Sequence, residues 1–188
     1  MRVILASKSP RRRELLSRIF PDFEIIVSDA DETLPEGLSP AECAEAVALR
    51  KGSAVAAEQG DDALVISSDT MVELGGVILG KPASAADAHR MLAMLSGKRH
   101  NVHTGVAVHY RGRVFSGVDT TRVEFRPLTE SEIDEYIATG EPMDKAGAYG
   151  IQGKGGALVS GYDGDFDTVV GLSLSLTERL VAEATSDD

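Results

Sequence analysis

Short apolar segments typical of β-strands alternate with helix-like segments along the whole chain. The clearest helix signal is Ser39–Glu42, a capping box with Pro40 at the first helical position, which predicts a helix to about Glu58. Gly75–Gly76 and Arg111–Gly112 lie between apolar runs and predict hairpins. A chain that mixes crossover units with hairpins in this way predicts an α/β fold, in which helices flank a mixed β-sheet.

The remaining predicted elements continue the alternation, in the order β-α-β-α-β-β-α-β-β-α-β-β-α. Strands are predicted at Val3–Ala6, Phe23–Val27, Leu64–Ser68, Val102–Tyr110 and Val114–Phe125, with a last hairpin turning at Asp163–Gly164. Helices are predicted at Glu14–Phe20, from Ser84 to about Gly97, from Thr129 to Gly140, and from about Ser175 onwards. No linker or repeat interrupts the chain, so we expect a single domain over 1–188 with a loose tail at 185–188.

The composition argues against several classes of protein. The chain has 19 Lys and Arg against 30 Asp and Glu, and a formal net charge of -11 repels the phosphates of nucleic acids. Aromatic residues make up only 5%, too few for platforms that stack bases. Cys43 is the single cysteine, which excludes an internal disulfide framework, and no apolar run is long enough to span a membrane. The predicted location is the cytoplasm.

A basic segment, Ser7–Arg13, stands out in this acidic chain. It places Lys8 and three consecutive arginines at the start of a helix, where each cation opposes the macrodipole by about 0.3–1 kcal/mol. A bound phosphate would remove this conflict, because it would meet backbone N–H groups, serine hydroxyls and guanidinium groups together. The alternative is a solvated basic turn whose arginines point outward.

A polar run, residues 67–70, interrupts the apolar strand that precedes the Gly75–Gly76 turn. Asp and Ser are poor strand formers, so they need a local partner or a function there. Counting back from a two-residue turn places Thr70 opposite Lys81, with Asp69 one step away. A carboxylate beside an ammonium is either a structural ion pair or a catalytic pair that keeps a base ionised near phosphate.

Three other features are less specific. The glycine-rich segment Asp144–Gly156 lets the backbone approach a ligand closely, and Gln152 within it suits the edge of a base, but a tight connecting loop explains the glycines equally well. Lys51 taken alone reads as a solvated surface lysine. Glu32 lies on an acidic loop, where it is either solvated or shares a divalent metal with Asp69.

Together these segments resemble the Maf family of nucleotide pyrophosphatases over nearly the whole chain. The matching segments are Ala6–Arg12, Ser68–Thr70, Gly80–Pro82, Asp144–Gly153 and Val170–Leu172. The resemblance implies an elongated fold like that of inosine-triphosphate pyrophosphatases, with two lobes around a central nucleotide cleft. It also implies hydrolysis of a nucleoside triphosphate to the monophosphate and pyrophosphate, with a divalent cation, Mg²⁺ or Mn²⁺.

The resemblance and the local residue pattern together assign a role to each site residue. Asp69 would accept the proton of the water that attacks the α-phosphorus, and Lys81 would keep it ionised. The triphosphate would be bound by Ser7, Arg12, Lys51 and Lys81. The base would be selected by Arg11, Thr70 and Gln152. The metal would bind to Glu32 and Asp69.

The three base-selecting residues resemble the branch of the family that acts on dTTP and UTP, with standard or modified pyrimidine nucleotides as substrates. Ser68 departs from the alanine that this branch commonly has, and Ser173 replaces its usual proline. Two alternatives remain: a 7-methyl-GTP pyrophosphatase, and a nucleotide-binding regulator of septum formation with little turnover. A symmetric homodimer is a plausible assembly, although the sequence carries no signature of an interface.

Overall fold

The computed structural model describes residues 1–186, which form a mixed α/β fold. The strands are β1 (Arg2–Leu5), β2 (Glu24–Ile25), β3 (Ala63–Leu74), β4 (Val77–Leu79), β5 (Arg99–Tyr110), β6 (Arg113–Phe125) and β7 (Val159–Asp163). The α-helices are α1 (Pro10–Leu16), α2 (Pro40–Gln59), α3 (Ala85–Leu95), α4 (Glu130–Ala138), α5 (Phe166–Val170) and α6 (Leu174–Thr185). Short 3-10 helices lie at Glu141–Asp144, Ala146–Ala148 and Lys154–Leu158.

The described strands form one sheet of seven strands. The sheet is mixed, as the alternation predicted. Its order is β2-β1-β3-β5-β6-β7, and β4 pairs with β3 beside this path. β1 is parallel to both β2 and β3, because α1 and α2 provide the crossover connections. The β3–β4 and β6–β7 pairs are antiparallel. The predicted fold class, a mixed sheet with flanking helices, is therefore confirmed.

Several predicted boundaries were wrong, and three of these differences have a clear local cause or lie at the end of the chain. Helix α1 begins at Pro10, before the predicted Glu14, because Ser9 caps it and Pro10 takes the first helical position. The turn after β7 leads into α5 and not into a second hairpin strand, because the Asp165 carboxylate accepts the backbone N–H of Asp167 at the start of that helix. In the predicted tail, Thr185 is still helical and Ser186 caps α6, while residues 187–188 lie outside the described residues.

The chain divides into two compact units, each with its own core. Unit 1 consists of Met1–Thr70, Thr104–Asp119 and the described residues from Gly171 onwards. Its strands β1 and β3 contribute Ile4 and Val65 to a core on which Val55 of α2 packs. Unit 2 consists of Met71–His103 and Thr120–Val170, and its core includes side chains of α3 and α4. Within residues 1–186, no helix has both the length and the apolar character needed to cross a membrane.

Helix α2 approaches the sheet of unit 1 through a face of small residues. Ala44, Ala48 and Gly52 are buried on this face at helical spacing. A Cβ on Gly52 would lie 2.6 Å from Ser67 Oγ of β3, so only glycine permits this approach. Ser67 Oγ also donates to the carbonyl of Ala48 at 2.7 Å. These contacts set the position of Lys51, which follows Arg50 on the helix.

Burial of His100 in unit 2 predicts a loss of stability in acid. Burial lowers its pKa from 6.5 to about 4, against a smaller opposing effect of Glu73. Because the pKa is lower in the folded state, His100 stabilises the fold fully above pH 6.5, and this contribution is lost as the pH falls from 6.5 towards 4. We expect it to account for about 2 kcal/mol of the unfolding free energy lost between pH 7 and about pH 5.

Urea unfolding of the wild type and of His100→Gln at the two pH values measures this contribution. Glutamine does not titrate, and it retains a hydrogen-bonding group for the Tyr149 hydroxyl, which lies 2.8 Å from His100 Nε2. We expect a shallower pH dependence in the variant, whatever its stability at pH 7. Equal pH dependence in both proteins would show that His100 does not carry the effect.

Candidate active site

Lys51 is the centre of a charged cluster in unit 1. Its side chain is buried on α2, and its Nζ lies 2.6 Å from Asp69 Oδ1 and 2.9 Å from Glu32 Oε1. The interpretation of Lys51 as a solvated surface lysine was therefore wrong. Two carboxylates far apart in sequence converge on one buried ammonium group, and the Asp69 side chain is itself only 15% exposed.

Local packing explains why these groups meet. Lys51 lies about one helical turn after Ala48, whose carbonyl accepts the Ser67 hydroxyl. This hydrogen bond joins α2 to β3 beside the cluster. Asp69 lies two residues after Ser67, just beyond the fully buried part of β3. Arg50 fixes the loop that carries Glu32, because its Nη1 donates to the carbonyl of Thr33 at 2.6 Å.

The Arg12 guanidinium is oriented by three neutral acceptors in the same unit. Its Nε donates to the carbonyl of Gly171 at 2.9 Å, Nη2 to Thr70 Oγ1 at 3.2 Å, and Nη1 to Ser7 Oγ at 3.4 Å. Burial lowers the pKa of Arg12, while the charge of Asp69 opposes this shift. A cation held by neutral groups is well suited to bind an anion, since its charge is not neutralised by the groups that orient it.

Ser7 and Ser9 satisfy two backbone N–H groups at the start of α1. Ser7 Oγ accepts the N–H of Ser9 at 3.2 Å, and Ser9 Oγ accepts the N–H of Arg12 at 3.5 Å. The N–H groups of this helix start were predicted to bind a phosphate, but two of them donate to serine side chains. Ser7 is 8% exposed, and it joins the Arg12 side chain to the end of β1.

The carbonyl of Gly171 belongs to the candidate site, and no pattern in the sequence indicates it. It accepts Arg12 Nε and also the hydroxyl of Ser68 at 3.0 Å. Thr104 was missed as well: its Oγ1 lies 3.0 Å from Thr70 Oγ1, and its side chain is completely buried. A backbone acceptor and a lone threonine carry no motif, so only the assembled fold shows their part in orienting Arg12 and Thr70.

Lys81 and Gln152 both belong to unit 2. The β3–β4 ladder begins at Leu74–Val77, as predicted, but ends at Val72–Leu79. These pairs have the predicted register, but strand pairing does not extend to Thr70 and Lys81, so the predicted pairing of these two residues was wrong. The ammonium group bonded to Asp69 is that of Lys51. Gln152 is exposed on the glycine-rich loop that precedes β7.

The cluster around Lys51 contains two carboxylates that could bind a divalent cation. Among residues 1–186, no group of three or more His, Cys, Asp and Glu side chains is arranged to hold a metal ion. Glu32 and Asp69 supply two carboxylates that already converge on one positive charge. Mg²⁺ commonly binds to one or two carboxylates and takes its other ligands from water and substrate phosphates, so this donor set fits.

Comparison with known proteins supports the family resemblance that the sequence motifs indicate. Residues 2–184 match the family model described as Maf-like protein. The chain belongs to the Maf family. Membership accounts for the presence in one chain of the basic segment, the Asp69 segment and the glycine-rich loop.

Curated relatives of this Maf chain cover it almost completely. The protein of Moorella thermoacetica is 54% identical over 183 residues, which are 96% of this chain and 94% of the relative. That of Bacillus cytotoxicus is 49% identical, covering 98% and 95%. That of Bacillus cereus is 50% identical, covering 97% and 93%. All three are named dTTP/UTP pyrophosphatase.

Solved structures similar to this Maf chain include two more distant proteins. The Ham1 protein of Staphylococcus aureus is 21% identical with a TM-score of 0.48, over 66% of this chain and 72% of that protein. The nucleoside-triphosphatase / dITP/XTP pyrophosphatase of Mycobacterium abscessus is 16% identical with a TM-score of 0.47, over 99% of this chain and 96% of that one.

Proposed function

We propose that this protein hydrolyses dTTP and UTP to the nucleoside monophosphate and pyrophosphate. The observation that carries the proposal is the 54% identity, over nearly the full length, to a relative named dTTP/UTP pyrophosphatase. The geometry of unit 1 supports the same chemistry, because a carboxylate can accept a proton, and a buried ammonium group and an oriented guanidinium can stabilise the charge that develops when a phosphoanhydride is cleaved.

Asp69 is the proton acceptor in this proposal. A water molecule attacks the α-phosphorus, the bond to the bridging oxygen breaks, and pyrophosphate leaves. Asp69 takes the proton of the attacking water on its carboxylate. Lys51 Nζ donates a hydrogen bond to Oδ1 of this carboxylate at 2.6 Å. The ammonium group limits the motion of the carboxylate.

Cationic and hydroxyl groups bind the triphosphate. Arg12, oriented by Gly171, and Lys51 supply positive charge in unit 1, and Ser7 supplies a hydroxyl. Lys81 of unit 2 keeps the phosphate-binding role that the family resemblance implies. A divalent cation, Mg²⁺ or Mn²⁺, would be held by Glu32 and Asp69 and would neutralise charge on the phosphate oxygens.

Arg11, Thr70 and Gln152 select the base in this proposal. The contacts of Thr70 support its part, because Arg12 Nη2 donates to its hydroxyl and Thr104 lies within hydrogen-bond distance, so the side chain has a defined orientation. Gln152 offers both a donor and an acceptor, as the edge of a pyrimidine base requires. A cytoplasmic location and a homodimer stay predictions from the sequence.

Release of pyrophosphate from a panel of nucleotides tests the proposal. The panel consists of dTTP, UTP, CTP, GTP, 7-methyl-GTP and pseudouridine triphosphate, each assayed with Mg²⁺ and with Mn²⁺. We expect dTTP and UTP to be preferred. Turnover of 7-methyl-GTP alone would retain the chemistry and contradict the base assignment. Tight nucleotide binding without turnover would favour the regulator of septum formation.

A further inference from the structure

Two side chains of unit 2 hold the glycine-rich loop on both sides of Gln152. On the N-terminal side, the backbone N–H of Gly150 donates to the Tyr136 hydroxyl at 3.1 Å. On the C-terminal side, the backbone N–H groups of Lys154 and Gly155 each donate to the Glu141 carboxylate at 3.0 Å. Gln152 therefore lies on a short backbone segment that is fixed at both ends.

The two anchors are joined to each other. The Tyr136 hydroxyl donates to Glu141 Oε1 at 2.8 Å, so one hydrogen-bonded pair supports the whole segment. Burial raises the pKa of Glu141, but the N–H groups of Gly155 and Lys154, the Tyr136 hydroxyl and the charge of Lys145 together outweigh this effect and leave the pKa below its ordinary value. Burial also raises the pKa of Tyr136, which keeps the hydroxyl protonated as a donor.

Glycines permit the close contact between the loop and this pair. A Cβ on Gly153 would lie 2.5 Å from a carboxylate oxygen of Glu141, and a Cβ on Gly155 would lie 2.5 Å from the Tyr136 hydroxyl. Real Cβ atoms do not approach oxygen so closely. Gly155 is required, because its Cβ would also lie 2.6 Å from the carbonyl oxygen of Gly150, and a side chain at Gly153 would displace the Glu141 carboxylate. Backbone and side chains thus meet directly, and a shift of the Glu141 carboxylate would move the loop with it.

We propose that Glu141, together with Tyr136, is a positioning residue for Gln152 and thereby contributes to the choice of base. The inference rests on the proposed function, in which Gln152 contacts the base. Glu141 touches no substrate in this scheme; it holds the backbone from which Gln152 reaches the base. Misplacement of a contacting group by ~1 Å costs about 100-fold in activity, so support of this kind has a measurable effect.

The first test replaces Glu141 with glutamine, which preserves size but presents an NH₂ group to backbone donors. The readout is the ratio of kcat/KM for UTP to that for GTP. We expect Glu141→Gln to lower this ratio by about 10-fold or more, through the value for UTP. Glu135→Gln, the same change at an exposed position on α4, is the matched control and should leave the ratio unchanged. If the glutamine variant does not fold, Tyr136→Phe tests the same pair through loss of the hydroxyl.

A double-mutant cycle with Gln152→Ala separates positioning from a merely structural role. If Glu141 acts through Gln152, the double variant loses no more selectivity than Gln152→Ala alone. Additive losses, or an unchanged ratio in Glu141→Gln, would overturn the inference while the proposed function stands. An unchanged ratio in Gln152→Ala would overturn it by removing the role of Gln152. A wild-type protein that hydrolyses neither dTTP nor UTP would instead refute the proposed function, and the inference with it.

Discussion

Replacement of Asp69 by asparagine is expected to lower kcat by about 100- to 10,000-fold, the usual contribution of a positioned general base. The amide does not accept a proton from the attacking water at neutral pH. It does retain an oxygen that Lys51 Nζ, now 2.6 Å from Asp69 Oδ1, can contact. The groups that bind phosphate therefore stay in place, and we expect nucleotide affinity to change far less than kcat.

Single-turnover release of pyrophosphate from dTTP, together with equilibrium binding of a non-hydrolysable analogue, separates these two effects. Asp61→Asn provides a matched control, because Asp61 is exposed in the turn before β3 and should tolerate the change. Wild-type turnover in Asp69→Asn would show that another group accepts the proton. Loss of binding in proportion to kcat would show instead that Asp69 acts mainly by holding the metal or the substrate.

Local hydrogen bonds explain which parts of the fold could be predicted. The capping boxes at Ser39–Glu42 and Thr129–Glu132 are both present, and each helix begins where its box predicts. The Gly75–Gly76 turn predicted the register of β3 and β4, which all three observed pairs have. In these cases the interacting groups lie within about four residues of one another, so their pattern is visible in the sequence.

The failures arise where the deciding partner is distant in sequence or lies in the backbone. The turn Asp163–Gly164 predicted a hairpin, but β7 already pairs with β6, and Asp165 starts a helix. Lys81 was predicted to lie opposite Thr70, but the ladder ends at the pair Val72–Leu79. Lys51 is buried because α2 packs on β3, and nothing in its neighbours along the helix indicates this.

The candidate site shows the same division. Asp69, Thr70 and Arg12 could be singled out because a charged or polar group stands where local preferences oppose it. The carbonyl that orients Arg12 belongs to Gly171, 159 residues away, and every residue has such a carbonyl. Its position beside Arg12 depends on the folded chain, as does the positive φ of Gly171.

Replacement of Lys51 by methionine is expected to lower kcat/KM for dTTP by about 100-fold or more, the cost of removing one preorganised group that stabilises developing charge. Methionine has a similar length and keeps the helix, but it leaves the carboxylates of Asp69 and Glu32 near each other without the ammonium group between them. We also expect the unfolding free energy to fall by about 1–3 kcal/mol, since the Asp69 carboxylate loses a charged hydrogen-bond partner.

The salt dependence of stability distinguishes loss of the charge pair from a packing defect. In Lys51→Met, two carboxylates repel each other, and added salt screens this repulsion, so the difference in stability from the wild type should shrink as the ionic strength is raised. Lys98→Met, at an exposed lysine after α3, should match the wild type at every salt concentration. A stability difference that is constant with salt would attribute the defect to packing of α2. Retention of full activity would remove Lys51 from the site and leave Asp69 without the partner on which its proposed role as a base depends.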